Sequence, residues 1–182
     1  NTGTNNTAVG DQAMYAYTSG SNNAALGSKA LSANTSGGQN TATGASSLLS
    51  NTTGIENMAS GFQALTGNVT GSYNTAVGSQ SMQQNVSGSD NTAIGYYSLL
   101  NNNSSNNTAV GSYAMEHNTT GSDNISIGNG SLYWSTGGSN NVVLGNLAGY
   151  NTEGSGNVML GYNAGAFEIG SDKLYIHNSN GN

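Results

Sequence analysis

A chain of 182 residues with only two cationic side chains, Lys29 and Lys173, against eight acidic ones carries a formal net charge of −6. It has no basic footprint for a phosphate backbone, which excludes nucleic-acid binding. Cysteine is absent, which removes disulfides, thiolate metal sites and thiol nucleophiles together, and no run approaches the roughly 20 apolar residues of a membrane-spanning helix.

Charged residues make up 5% of the chain, against roughly 25% in an ordinary soluble domain, and Asn, Gly, Ser and Thr fill the gap. Such a polar tract is a candidate for disorder, but the chain has no Pro and repeats with a strict period, and disorder needs no register. The repeat is a pentapeptide that opens on Asn and closes on Gly. It occurs at Asn6–Gly10, Asn23–Gly27, Asn40–Gly44, Asn57–Gly61, Asn74–Gly78, Asn91–Gly95, Asn107–Gly111, Asn124–Gly128, Asn141–Gly145 and Asn157–Gly161. The step is 17 residues, shortened to 16 from Asn91 to Asn107 and from Asn141 to Asn157. That period is too short for a helix pair and fits one coil of a parallel β-solenoid. The expected fold is therefore all-β, with about ten rungs stacked roughly 4.8 Å apart.

With the Asn as position 1, two short strands are expected per rung, at positions 2–4 and 8–10. Position 4 (Val9, Leu26, Thr43, Ser60, Val77, Ile94, Val110, Ile127, Leu144, Leu160) reads as the interior column, weakened by Thr43 and Ser60. Position 3 is mostly Ala, position 8 is Ala or Ser, and position 9 is Leu or Met until Gly149 and Gly165. Gly at position 5 and usually at position 15 marks two turns, and stacked Asn at position 1 suggests an amide ladder along Asn74, Asn91 and Asn107 beside the Gly78, Gly95 and Gly111 corners. Neighbouring residues of a strand face opposite ways, so apolar residues at both 3 and 4 leave one face in need of cover. Lateral association of identical chains supplies it, and a homotrimer is the expected assembly; a monomeric solenoid with a broad Ala face is the alternative.

The short step after Asn91 places its deletion in the turn at residues 102–106, where a loop tolerates it. The last copies turn more apolar, and Leu174-Tyr-Ile176 reads as a separate strand after a turn at residues 170–172. The organisation expected is a repeat rod over 1–165 and an exit or neck segment over 166–182 leading to a further domain. Asn1 falls within a repeat, so the chain is expected to be part of something longer.

The pattern Asn-Thr-Ala-Val-Gly-x-x-Ala-Leu-x-x-Asn-Thr-Thr-Gly resembles the head repeats of YadA-like trimeric autotransporter adhesins and the repeat arrays of phage tail fibres. The tail Gly161-Tyr-Asn-Ala-Gly165 followed by Gly170-Ser-Asp-Lys-Leu-Tyr-Ile-His-Asn-Ser179 is similar to segments that precede an endosialidase-type intramolecular chaperone domain. The adhesin repeat is typically nearer 14 residues, so the loops here are longer. The resemblance implies a trimer on a virion or bacterial surface, attachment to a host, and no catalysis or cofactor in this part.

The chemistry-bearing residues are sparse. The eight acids are scattered at one per rung or fewer, with no recurring pair for acid–base work, and Glu116 and His117 are expected to face opposite ways on a strand. Asp90 and Asp123 occupy matching turns, which raises a calcium-binding roll, but Asn22, Gln39, Glu56, Tyr73 and Asn140 stand at the equivalent positions and turn formation is the better account. Asn51, Asn68, Asn85 and Asn118 match glycosylation acceptors and read as turn residues first. Thr7, Thr41, Thr75, Thr92 and Thr108 at position 2 suggest an ice-binding ladder, interrupted by Ala24, Met58, Ile125, Val142 and Val158. Tyr96, Tyr97, Tyr113, Tyr133 and Trp134 crowd into three successive rungs, with Tyr97 and Tyr113 sharing position 7. Exposed on a polar rod, they are candidates for stacking on the sugar rings of a host-cell glycan; a packing cluster or trimer seam is the competing account.

Overall fold

The computed structural model describes residues 2–16 and 19–177, and they form a single stack. Each pentapeptide contributes one three-residue strand: β1 (Thr7–Val9), β2 (Ala24–Leu26), β3 (Thr41–Thr43), β4 (Met58–Ser60), β5 (Thr75–Val77), β6 (Thr92–Ile94), β7 (Thr108–Val110), β8 (Ile125–Ile127), β9 (Val142–Leu144) and β10 (Val158–Leu160). An eleventh, β11 (Leu174–Ile176), follows in the same sheet, and the strands lie side by side in chain order. Every pairing is parallel and joins like positions, as Ala76 to Ala93 and Ala93 to Ala109. The expected β-solenoid is thus observed, and the ladder runs past residue 165, because β11 pairs with β10 in the register of the earlier rungs.

The second strand expected at positions 8–10 is not there. Positions 6–11 form a turn segment in which positions 7 and 9 take left-handed helical dihedrals, for example Lys29 at φ 59° and Leu31 at φ 51°. A non-glycine residue pays about 1–2 kcal/mol for that conformation. Two gains offset it. The backbone still bonds between rungs, with Lys29 N donating to Asp11 O at 2.8 Å and Leu31 N to Ser47 O at 3.1 Å. Positions 8 and 9 also both enter the core, as Ala64 and Leu65 do, which the alternation of a true strand forbids.

The interior column of the strand is position 3, not position 4. Ala42, Ala59, Ala76, Ala93 and Ala109 are fully buried, whereas Leu26, Ile94, Ile127 and Leu144 are exposed. Leu or Met from position 9 of the facing wall fills the narrow lumen, so a small residue stands opposite, Ala in most rungs and Ser126 against Leu132. Thr43 and Ser60 accordingly lie on the outer face and cost the core nothing.

Glycine at position 5 is required twice over. Its φ lies between 113° and 145° in all ten rungs, and an added Cβ at Gly78 would sit 2.5 Å from the carbonyl oxygen of Gly95. The other glycine corner, position 15, is set by crowding: a Cβ on Gly71 would lie 2.4 Å from both Gly88 O and Asn68 Oδ1.

Two buried asparagines close each rung from Asn23 to Asn107. The first is position 1, whose Oδ1 accepts from the backbone N of the next Asn; Asn74 N to Asn57 Oδ1 is 3.0 Å, Asn91 N to Asn74 Oδ1 3.1 Å and Asn107 N to Asn91 Oδ1 2.9 Å. The second is position 12, where Asn34, Asn51, Asn68, Asn85, Asn102 and Asn118 are buried. Both side-chain amides donate to one carbonyl at the corner, as Asn57 and Asn68 do to Gly71 O at 2.9 Å each. Both lone pairs of that oxygen are thereby used. Asn51, Asn68, Asn85 and Asn118 are therefore internal clamps with no room for a glycan. In the short rung from Asn91 the deletion falls just before this corner, and Ser104 O takes the glycine's place, accepting from Asn91 and Asn102 at 2.8 Å each. A third ladder runs along position 16, where Ser89 Oγ accepts from Ser72 N at 3.1 Å and Ser105 Oγ from Ser89 N at 3.0 Å.

Candidate functional site

Two faces of the rung's outer surface meet at the glycine corner at position 5. Positions 2 and 4 of the strands form one. Positions 6, 7, 10 and 11 of the turn segment form the other, and because the dihedrals repeat, each position stacks into a column parallel to the rod axis.

In the earlier rungs the position-7 column is polar, with Gln12, Lys29, Ser46, Gln63 and Gln80, and among the described residues the exposed aromatics of this face are Tyr15 and Phe62, three rungs apart. From the Asn91 rung onward the aromatics become contiguous. Tyr96 and Tyr97 stack at 4.0 Å, and Tyr113 meets both edge-on at 5.4 and 5.9 Å. Tyr133 contacts Tyr113 at 6.3 Å, and Trp134 lies edge-on to Tyr133 at 5.0 Å. The five aromatics singled out from sequence are thus one contiguous cluster. Three neighbours were not singled out. His117 stacks flat on Trp134 at 3.9 Å, Tyr150 stacks on Tyr133 at 5.2 Å with 7° between planes, and the exposed Phe167 extends the column that holds Trp134. Numbering positions 10 and 11 as columns would have found them, since Tyr133 and Tyr150 share the first and His117, Trp134 and Phe167 the second.

Glu116 and His117 do not face opposite ways, because they lie on the turn segment and not on a strand; Glu116 Oε1 is 3.8 Å from His117 Nε2. The surroundings raise the pKa of two of the phenols. Tyr97, as hydrogen-bond partner, pushes the Tyr96 hydroxyl up to about 12, and burial followed by the negative charge of Glu116 raises that of Tyr133. Both remain hydroxyl donors at any physiological pH.

A cavity of about 270 Å³ opens in this face, lined by Tyr113, Asn129, Gly130, Tyr133, Leu147 and Tyr150. A second of about 270 Å³ adjoins it, sharing Leu147 and Tyr150 and adding Asn163 and Phe167. A third, of about 250 Å³, lies between Asn163–Gly165 and Tyr175–His177.

The other candidates stand elsewhere. Asn74, Asn91 and Asn107 are buried and Gly78, Gly95 and Gly111 form the corners, so all six serve the stack. Asp90 and Asp123 hold left-handed turn dihedrals, at φ 58° and 59°. Thr7, Thr41, Thr75, Thr92 and Thr108 lie on the strand face beside the apolar position-4 column. Comparison of the chain with protein-family profiles, with curated proteins and with solved structures finds no match.

Proposed function

We propose that this chain is a structural and attachment segment of an extracellular fibre, a phage tail fibre or a bacterial surface adhesin, assembled as a homotrimer. The observation that carries the reading is the outer strand face. Val77, Ile94, Val110, Ile127, Leu144, Leu160 and Ile176 follow one another at position 4, and Ile125, Val142, Val158 and Leu174 flank them at position 2. Many remain exposed: Ile94, Ile125 and Ile127 by about two-fifths, Leu174 and Ile176 by 68%. An apolar stripe several strands long is more than a lone soluble rod ordinarily leaves bare. A rod that repeats along one axis is matched by copies of itself aligned with that axis, and closed rotational symmetry lets each chain cover its neighbour.

Within such a fibre the stacked ladders resist unfolding and the turn face is left to meet a receptor. Tyr96, Tyr97, Tyr113, Tyr133 and Trp134 are the proposed contact residues, with a host-cell glycan as partner. Light scattering tests the assembly: a trimer mass is expected, converted toward monomer by Val110→Lys with Ile127→Lys, and a monomeric mass for the unaltered chain contradicts the packing argument. Binding to host cells that is lost on Tyr97→Ala or Trp134→Ala supports the receptor role; no binding at all leaves a spacer.

One observation favours a second reading, an ice-binding solenoid: Thr75, Thr92 and Thr108 do pair directly across adjacent strands on the outer face. Thermal hysteresis is its signature, and its absence discards this reading.

A further inference from the structure

The groove around Gly130 points to a ligand class. In the position-7 column the chain carries Gln12, Lys29, Ser46, Gln63, Gln80, Tyr97, Tyr113, Gly130, Leu147 and Asn163. All share the left-handed backbone, from φ 54° at Gln12 to 61° at Gly130. The backbone therefore does not demand glycine at 130, since nine other residues hold the same dihedrals. What glycine provides is a missing side chain in the middle of the aromatic face. A Cβ there would meet only the flexible end of Leu147, at 3.0 Å, with the Tyr150 ring at 3.9 Å. The gap becomes a cavity with Gly130 at its floor, Tyr113 and Leu147 beside it along the axis, and the Tyr133–Tyr150 stack as its wall.

We propose that this groove is a binding site for neutral pyranose rings of a surface glycan, the Gly130 cavity taking one ring and the adjoining cavity beside Phe167 the next. The proposal rests on the attachment reading above and deepens it. Three features select the class. At about 270 Å³ each, the cavities fall below the roughly 300–1,000 Å³ of drug-sized pockets and suit a single ring apiece. Aromatic faces set beside the Asn129 and Asn163 amides and the phenol hydroxyls offer a sugar both an apolar surface for its C–H face and partners for its hydroxyls. No charged side chain lines either cavity, and the chain carries a net charge of −6 with its only two lysines at 29 and 173, so a sialylated or sulfated ring finds no counter-charge. Because the cavities share Leu147 and Tyr150, a linear oligosaccharide would run along the rod.

The test is an array of neutral and sialylated oligosaccharides probed with the full chain, followed by titration of the best neutral oligosaccharide against the fluorescence of Trp134, the one tryptophan. The decisive variant is Gly130→Gln. It fills the cavity, keeps every aromatic ring, and places at 130 the residue that already stands at the equivalent Gln12, Gln63 and Gln80. Neutral glycan binding that weakens at least about tenfold in Gly130→Gln, with unchanged thermal unfolding and unchanged mass, is expected. Neutral glycan binding that Gly130→Gln leaves intact overturns the groove while the attachment reading stands. Binding confined to sialylated glycans, or to a protein receptor that protease treatment of cells abolishes, overturns the neutral-sugar class. No glycan bound also overturns it, with the fibre assembly judged separately by its mass.

Discussion

The rungs from Asn23 to Asn107 and those from Asn124 to Asn157 share one backbone but are held differently. In the first group two buried amides close each rung, and Ala at position 3 faces Leu or Met at position 9. In the second, position 12 becomes Ser135, Thr152 and Glu168, and the corner carbonyls of Gly138, Gly154 and Gly170 keep one asparagine donor each, at 2.9, 3.0 and 3.0 Å. In the last two rungs the core also inverts: Val143 and Met159 replace Ala on the strand wall while Gly149 and Gly165 replace Leu on the turn wall. Core volume is conserved across the lumen, not along either wall. The singly clamped rungs supply most of the lining of the aromatic groove, and the doubly clamped Asn107 rung adds only Tyr113.

The largest expected effect breaks the inverted core. Met159→Ala empties the space that Met159 fills opposite Gly165 and is expected to cost about 2–5 kcal/mol in urea unfolding. Gly165→Leu alone is also destabilising, because its Cβ would lie 2.8 Å from Met159 Sδ. Since Gly165 has φ 56°, close to the 51° of Leu31, the double variant restores the pattern of the earlier rungs and should recover most of the loss. A double variant as unstable as the sum of its parts would refute the exchange of volume across the lumen.

Next comes the clamp. Asn57→Ala leaves Gly71 O its second donor, Asn68, whereas Asn141→Ala strips Gly154 O of its side-chain donor. Asn141→Ala is therefore expected to be the more damaging by about 1 kcal/mol; equal losses would show that the second amide is redundant. The smallest effect is electrostatic. Glu168 accepts from the Tyr175 hydroxyl and from Gly170 N at 2.6 Å, and these bonds hold its carboxyl below the ordinary range. A carboxyl depressed in the folded chain adds stability above its unfolded titration and loses it as pH falls through the folded value. The NMR shift of the Gly170 amide should titrate with a midpoint below the ordinary carboxyl range; a midpoint at or above that range contradicts the contact.

Much of this was legible in the sequence because a repeat reports its own register: the pentapeptide spacing gives the rung count, the parallel pairing and the position-1 amide ladder. The second wall was not, because reading Ala64-Leu65 as strand assumes β dihedrals, and only left-handed residues let both side chains turn inward. The same assumption put Val110 and Ile127 inside when they lie outside. The inner amides at Asn51 and Asn68 were hidden by looking like ordinary turn residues. Tyr97 and Tyr113 were legible as a column, but Tyr150 and Phe167 belong to columns 10 and 11, and it is the left-handed turn segment that sets column 10 beside column 7, as the Tyr113–Tyr133 contact shows. Gly130 carries no signal of its own among 28 glycines; its meaning lies in what its neighbours at the same position are.

The central claim, that like positions lie above one another on a common axis, is open to a direct distance measurement because the chain has no native cysteine. Spin labels at Ser28→Cys paired in turn with Ser112→Cys, Asn129→Cys and Asn146→Cys, diluted with unlabelled chain, sample the position-6 column five, six and seven rungs away. Pulsed dipolar spectroscopy should give distances near 24, 29 and 34 Å, rising by about 4.8 Å per rung. Distances that fail to grow with rung number would contradict the stack and everything built on it.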